Sequence, residues 1–255
     1  MIGDAELLRY SRQIMLPGFD VAAQEKLLAS RVLVVGLGGL GCPVALYLAA
    51  AGVGELVLAD GDRVEPSNLQ RQLAHTEADI GRNKAQSAAD ACTAINAALG
   101  VEVIAEYLAG DVLDREVGRA DLVVDATDSF LARLDLNRAC IATGKALLSG
   151  AAIGSEGQLT LFDVASGTGC YRCLYPDGAD EPNLSCSESG VLAPVVGVIG
   201  SLQALEAVKF LTGYGQSLRG RLLLFDGWSM QWREVGLTRA PDCPHCSEGR
   251  GRAGD

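Results

Sequence analysis

The stretch VLVVGLGGLGCPVALYLAAA, residues 32–51, decides the fold. Its first four residues read as a strand buried on both faces, assigned to Arg31–Val35. Gly36-Leu-Gly38-Gly39-Leu-Gly41 fits GxGxxG, and the small-residue run from Pro43 to Ala51 reads as a helix. A glycine loop between a strand and a helix lets backbone N–H groups approach a phosphate at the helix N-terminus. Asp60 ends the next strand, Glu55–Ala59, and lies 19 residues past Gly41, where an acid can accept hydrogen bonds from ribose hydroxyls. The expected ligand is a nucleotide. The bland alternative is a tight packing turn with Asp60 as a loop cap.

Two uncharged runs invite comparison with a membrane span. Val32 to Gly54 covers 23 residues but holds six glycines and Pro43, and its pattern changes partway. Ser189 to Leu205 covers 17 residues and is broken by Pro194. Both are expected in a folded core, with no membrane partner. Of 255 residues, 49 % are apolar and 21 % charged, a mixture that folds and buries a core without disulfides. The net charge of −11 argues against a broad nucleic-acid surface, which needs clustered Lys and Arg. Eight cysteines fall into two CxxC pairs and four lone positions, Cys42, Cys92, Cys140 and Cys186. That distribution, with no signal peptide in MIGDAELLRYSRQ, predicts a reducing, cytoplasmic setting.

Working outward, helices are expected at Asp4–Arg12 with Asp4 able to cap, at Val21–Ala29, Lys84–Leu99, Phe130–Thr143 and Ser201–Leu211. Strands are expected at Val101–Tyr107, Asp121–Asp125, Ala146–Leu148, Gln158–Phe162, Arg221–Phe225 and Ser229–Val235. The alternation of strand and helix to Gly150 predicts an α/β, Rossmann-like, doubly wound and mostly parallel sheet, followed by an appended C-terminal antiparallel layer. No linker marks residue 150, so a single domain over residues 1–246 is expected, with a nucleotide-binding part at about 31–150, a second part at about 151–246 and a disordered tail at 247–255.

The polar segment Asp60-Gly-Asp62-Arg-Val-Glu-Pro-Ser67-Asn68-Leu-Gln-Arg71-Gln72 goes beyond what a dinucleotide enzyme needs. Asn68 and Arg71 share a face if the chain turns helically there. Lys84 sits at a helix start, where the dipole disfavours a cation, which suggests an external anion. Arg71 and Lys84 together could neutralise a triphosphate during transfer, or could be ordinary surface charge. Asp128, past the fourth strand, faces the nucleotide and is suited to magnesium, while Asp125 caps or braces the turn. Cys170-Tyr-Arg-Cys173 and Cys243-Pro-His-Cys246 read as a four-cysteine structural zinc site, with a redox CxxC as the weaker reading and His245 as a bystander. His75 is read as structural.

GLGGLG, DGDRVEPSNLQRQ, GRNK, TDS, CYRC and CPHC occur in that order from about Leu8 to Cys246. In this the chain resembles the ubiquitin-activating-like MoeB/ThiF/HesA group, which adenylates small sulfur-carrier proteins. The resemblance implies ATP and magnesium, with Gly39 and Asp60 on the nucleotide, Asn68, Arg71 and Lys84 on the phosphates, and Asp128 on the magnesium. Gly36, Gly38, Gly41, Asp62, Ser67 and Ser129 complete the expected nucleotide-binding set. Arg12 would reach into the active site of the other subunit of a homodimer. Cys186 matches a cysteine that some relatives link covalently to the carrier, and is an accessory nucleophile or a loop thiol. Ser129 departs from the Asn that commonly follows the aspartate.

The reaction implied is adenylation of the C-terminal glycine of a Gly-Gly-ended carrier, releasing pyrophosphate. The text from CYRC to LTGYG is most similar to members acting on the molybdopterin synthase small subunit (MoaD-like), with a ThiS-like thiamin carrier or another sulfur carrier as alternatives. No rhodanese-like domain is present, so a separate sulfur donor is expected. An NAD-dependent oxidoreductase would leave Arg71, Lys84 and both CxxC pairs unexplained. A non-catalytic carrier-binding module is opposed by the intact Arg12, Asn68, Arg71, Lys84 and Asp128.

Overall fold

The computed structural model describes residues 2–176 and 190–247. Strands β1 (Arg31–Val35), β2 (Glu55–Ala59), β3 (Gly100–Ile104), β4 (Leu122–Asp125) and β5 (Leu147–Ile153) pair in parallel in the order β3-β2-β1-β4-β5. From β5 the sheet continues antiparallel through β6 (Glu156–Phe162), β7 (Arg221–Asp226) and β8 (Gln231–Gly236), making eight strands in one sheet. The antiparallel strands therefore prolong the parallel sheet edge to edge.

Eight helices are described: α1 (Asp4–Ile14), α2 (Val21–Leu28), α3 (Gly41–Ala51), α4 (Lys84–Ile95), α5 (Gly110–Arg119), α6 (Phe130–Thr143), α7 (Tyr171–Leu174) and α8 (Ala193–Thr212). Successive side chains of a strand point to opposite faces, so an unbroken apolar strand feeds two cores. Val32 and Val34 of β1 pack with Leu48 of α3, Ala88 of α4 and Ala204 of α8. Leu33 and Val35 pack on the other face with Val117 of α5, Leu136 of α6 and Tyr171 of α7. Helix α8 is long and apolar enough to cross a membrane by length and composition, yet half of its most apolar window is buried, and it packs on α3, β5 and β6.

Several element boundaries differ from the sequence reading. Gly3, not Asp4, is the N-cap of α1, and Glu6 Oε2 accepts its N–H at 2.9 Å. Helix α4 stops at Ile95 rather than Leu99, because the Asn96 amide leaves the helix to donate to Ala49 O and Tyr10 Oη. β3 ends at Ile104, short of Tyr107. Helix α8 begins at Ala193, eight residues before the expected start. Pro194 sits in its first turn, where a missing N–H costs nothing, and so opens the helix instead of breaking it. Helix α5 was not expected at all. It is short and highly charged, and buries only Leu113, Glu116 and Val117.

Glu116 is the buried member of an ion cluster at the start of β1. Arg31 donates to Glu116 at 2.9 Å and Glu102 at 2.7 Å, with Glu55 at 3.2 Å. The Glu116 side chain is 1 % exposed. Burial pushes its carboxyl up, but Arg115 and Arg31 outweigh that and hold it below the usual range. A lowered folded value means the stabilisation is present above the unfolded carboxylate value, about 4.3, and is lost as pH falls through the folded one. Glu116→Gln is expected to cost about 2 kcal/mol in urea unfolding at neutral pH, the scale of a hydrogen bond to a charged group, and to flatten the acid limb of stability against pH.

Candidate functional site

In an open parallel sheet, the loops past the strand carboxyl ends form a crevice where the strand order reverses. Here that point lies between β1 and β4. A cleft of about 450 Å³ opens there, walled by the glycine loop after β1, Asp60 after β2, Tyr107 after β3 and Ala126 to Ser129 after β4.

Close packing shapes the glycine loop. Gly36 has φ +89°, and a Cβ on it would lie 2.8 Å from Ala126 O. A Cβ on Gly41 would lie 1.8 Å from Gly36 O, so no larger residue lets the start of α3 approach β1 this closely. Leu37 N–H donates to Asp60 Oδ2 at 2.7 Å, and Asp62 N–H to Asp60 Oδ1 at 2.8 Å. Burial pushes the Asp60 carboxyl above its ordinary value, against these two N–H groups. Each carboxylate oxygen keeps a second lone pair for a hydroxyl. Among the described residues, the N–H groups of Gly38 and Gly39 have no acceptor, the arrangement that binds anions at helix starts.

The polar segment supplies the charge. Asn68 is buried in a 3₁₀ turn (Pro66–Asn68), with its Oδ1 accepting Glu65 N–H at 3.0 Å. Arg71 is fixed by donation to Ser67 O at 3.0 Å. Both line the cleft, as the shared-face reading expected. Lys84 is only 7 % exposed, which removes the surface-charge alternative. Its Nζ lies 2.8 Å from Asp62 Oδ2, so the chain supplies an anion for it; Tyr107 Oη donates to the other Asp62 oxygen. Burial works to raise the Asp62 carboxyl, but Lys84 and Tyr107 hold it below the usual range, and the same contact lifts the Tyr107 phenol to about 12.

Asp125 is fully buried and braces the turn, accepting from Thr127 N–H at 3.0 Å and Ser149 Oγ at 2.7 Å. Asp128 is exposed at the cleft with no hydrogen bond to its carboxylate among the described residues. Ser129 lines the cleft as N-cap of α6, its Oγ accepting Ala132 N–H at 3.4 Å, so serine serves where asparagine was the commoner expectation.

Three expected residues lie outside the cleft lining. Gly41 acts through packing. Ser67 turns its hydroxyl to Glu65 Oε2 at 3.4 Å. Arg12 is exposed on α1, whose Gln13 donates to Ala51 O, at the opposite end of α3 from the loop. Cys186 lies outside the described residues. Tyr107 and Arg133 line the cleft without having been singled out; Arg133 donates to Thr127 O at 2.8 Å. Their positions just past β3 and in the first turn of α6 were the available signal.

A second site joins the start of α7 to the C-terminal segment. The sulfurs of Cys170, Cys173, Cys243 and Cys246 all lie within 4.8 Å of one another, with separations of 3.9, 3.8 and 3.6 Å along the chain of contacts. A tetrahedral ion with metal–sulfur bonds of about 2.3 Å sets its ligands about 3.8 Å apart, so the four thiols fit one. Ala240 N–H points at Cys173 Sγ at 3.4 Å. His245 is not among the clustered ligands. The other described thiols, Cys42, Cys92 and Cys140, are buried and lifted to about 12 by that burial.

The sequence profile of the ThiF family matches residues 10–245. The chain is 48 % identical to the sulfur carrier protein ThiS adenylyltransferase of Escherichia coli K12, covering 96 % of this chain and 97 % of that one. It is also 48 % identical to the molybdopterin-synthase adenylyltransferase of the same organism, over 97 % of this chain and 99 % of that one. A crystal structure of E. coli MccB with MccA-N7isoASN superimposes with a TM-score of 0.83 at 25 % identity, over 94 % of this chain and 74 % of the other.

The loop packing yields a contrast between two glycines. Gly41→Ala drives its Cβ into a backbone carbonyl and is expected to cost roughly 3 kcal/mol or more of stability. Gly38→Ala meets nothing closer than Gln72 Nε2 at 3.6 Å and is expected to keep its stability while losing nucleotide affinity. Thermal unfolding and nucleotide titration of the two variants check this.

Proposed function

The chain belongs to the ThiF family, and from that membership we propose that it adenylates the C-terminal glycine carboxylate of a small ubiquitin-like sulfur-carrier protein with ATP. The convergence of Asn68, Arg71 and Lys84 around a glycine loop with free N–H groups carries this reading. A hydride-transfer site has no use for that concentration of phosphate-directed cations.

In the reaction, a carrier carboxylate oxygen forms a bond to the α-phosphorus as the bond to the pyrophosphate oxygen breaks. The nucleophile is already an anion, so no general base is required. The barrier is charge repulsion and alignment. The glycine-loop amides and Asp60 hold the nucleotide by its phosphates and ribose. Lys84, already oriented by Asp62, presents its remaining N–H donors, and Arg71 adds a second fixed cation. Asp128 would hold magnesium, which supplies further charge neutralisation. Arg12 is assigned to the cleft of a second copy in a homodimer, consistent with its exposure away from its own cleft. The four thiols are assigned to structural zinc, which would tie the start of α7 to the C-terminal segment. The two relatives' names point to two carriers. The molybdopterin synthase small subunit is the first candidate and the thiamin carrier the second, in a cytoplasmic setting that keeps the thiols reduced.

ATP–pyrophosphate exchange with magnesium and a panel of Gly-Gly-ended carriers tests the reading. Exchange dependent on one carrier is expected; ATP binding without exchange on any carrier would reduce the protein to a carrier-binding module. Arg71→Ala is expected to bind ATP nearly as well as the unsubstituted protein and to lose roughly 100-fold or more in exchange. Purified protein is expected to carry one zinc per chain, and Cys173→Ser to lose it together with several kcal/mol of stability, about the scale of a structural metal site.

A further inference from the structure

One buried ring beneath the phosphate loop has no part in the chemistry above. His75 is 5 % exposed and lies in the segment between the 3₁₀ turn and α4. Its Nε2 is 3.0 Å from Leu37 O, and its Nδ1 is 2.9 Å from Ser87 Oγ on α4. A carbonyl oxygen only accepts, so Nε2 carries the proton. Burial pushes the ring below its ordinary value, which keeps it neutral; Nδ1 then accepts the Ser87 hydroxyl, and the tautomer is set. The second lone pair of Leu37 O takes the Cys42 thiol at 3.3 Å. On its other side, Leu37 donates its N–H to Asp60 at 2.7 Å. Leu37, immediately before the two glycines with unpaired N–H groups, is thus held on one side by Asp60 just past β2 and on the other by His75, itself bonded to Ser87 of α4.

We infer that His75 is a positioning residue for nucleotide binding: its Nε2–H pins the Leu37 carbonyl, so that the Gly38 and Gly39 N–H groups stay presented at the cleft and in register with Lys84 at the start of α4. His75 touches no substrate. Its effect passes through the shape of the loop, and so belongs to ground-state binding of the phosphates more than to the transfer step. The consequence for substrate rests on the ATP reading above; the clamp on the loop does not.

The test compares His75→Phe, which keeps the ring's bulk and removes the donor, with His75→Gln, whose amide can donate from a similar place. Two readouts are used. Hydrogen exchange over residues 36–42 follows the Leu37 and Cys42 amides, which are hydrogen-bonded to Asp60 Oδ2 and Gly38 O. Steady-state exchange kinetics separates KM for ATP from kcat. His75→Phe is expected to speed amide exchange in the loop and to raise KM for ATP roughly five- to tenfold, the scale of one lost buried hydrogen bond, with a smaller change in kcat. His75→Gln is expected to recover most of both. A folded His75→Phe with unsubstituted loop exchange and KM overturns the inference, as does a glutamine variant no better than phenylalanine. If His75→Phe does not fold, Ser87→Ala decides: a rise of about two- to threefold in KM supports the clamp, and an unchanged KM and loop exchange overturn it. Absence of ATP use by the unsubstituted protein would defeat the adenylation reading alone, and the amide exchange would still decide the role of His75.

Discussion

The hydrogen bond from Leu37 N–H to Asp60 ties the end of the second strand to the loop after the first, and the cleft is arranged around it. It places a carboxylate where burial disfavours its charge. Two backbone N–H groups offset part of that cost and leave the remaining lone pairs facing the cleft. The same loop runs beneath the start of α3, and only glycine at position 41 lets that helix come this close to Gly36 O.

Around that tie the sheet acts as a rigid frame. Its central strands are apolar on both faces, so each is covered twice, and a slip of one residue would trade one core for the other. Helix α8 closes the frame from the antiparallel side. Its Val196 reaches the cleft, and its Gln203 donates to Asp125 O at 2.8 Å, so the C-terminal half of the chain helps to set the turn that carries Asp128.

The cleft also holds its charges in check before a ligand arrives. Lys84 is buried at the start of a helix, a costly place for a cation, and Asp62 compensates it within the chain. Tyr107 donates to the same carboxylate and keeps it from swinging away. The lysine is therefore oriented in advance, and in the proposed reaction that lowers the reorganisation needed for a phosphate to take up its other donors.

The parallel sheet, its glycine loop, Asp60 and the face shared by Asn68 and Arg71 were legible in the sequence, because each rests on local spacing: an apolar run, a turn only glycine permits, or residues three apart. Both CxxC pairs were legible for the same reason, and the fold brings their sulfurs together across more than sixty intervening residues. What spacing does not encode is what meets a segment from elsewhere in the chain. Nothing local shows that the charged α5 is held by Arg31 reaching Glu116. Nor does it show that Lys84 finds its anion in Asp62, or that His75 lies against Leu37. Those contacts join residues far apart in sequence, and packing against a completed sheet is what selects them. The sequence by itself determined the fold's frame and most of the groups that line the cleft; the tertiary structure decided which partners hold those groups in place, since burial and long-range hydrogen bonds exist only once the layers have closed.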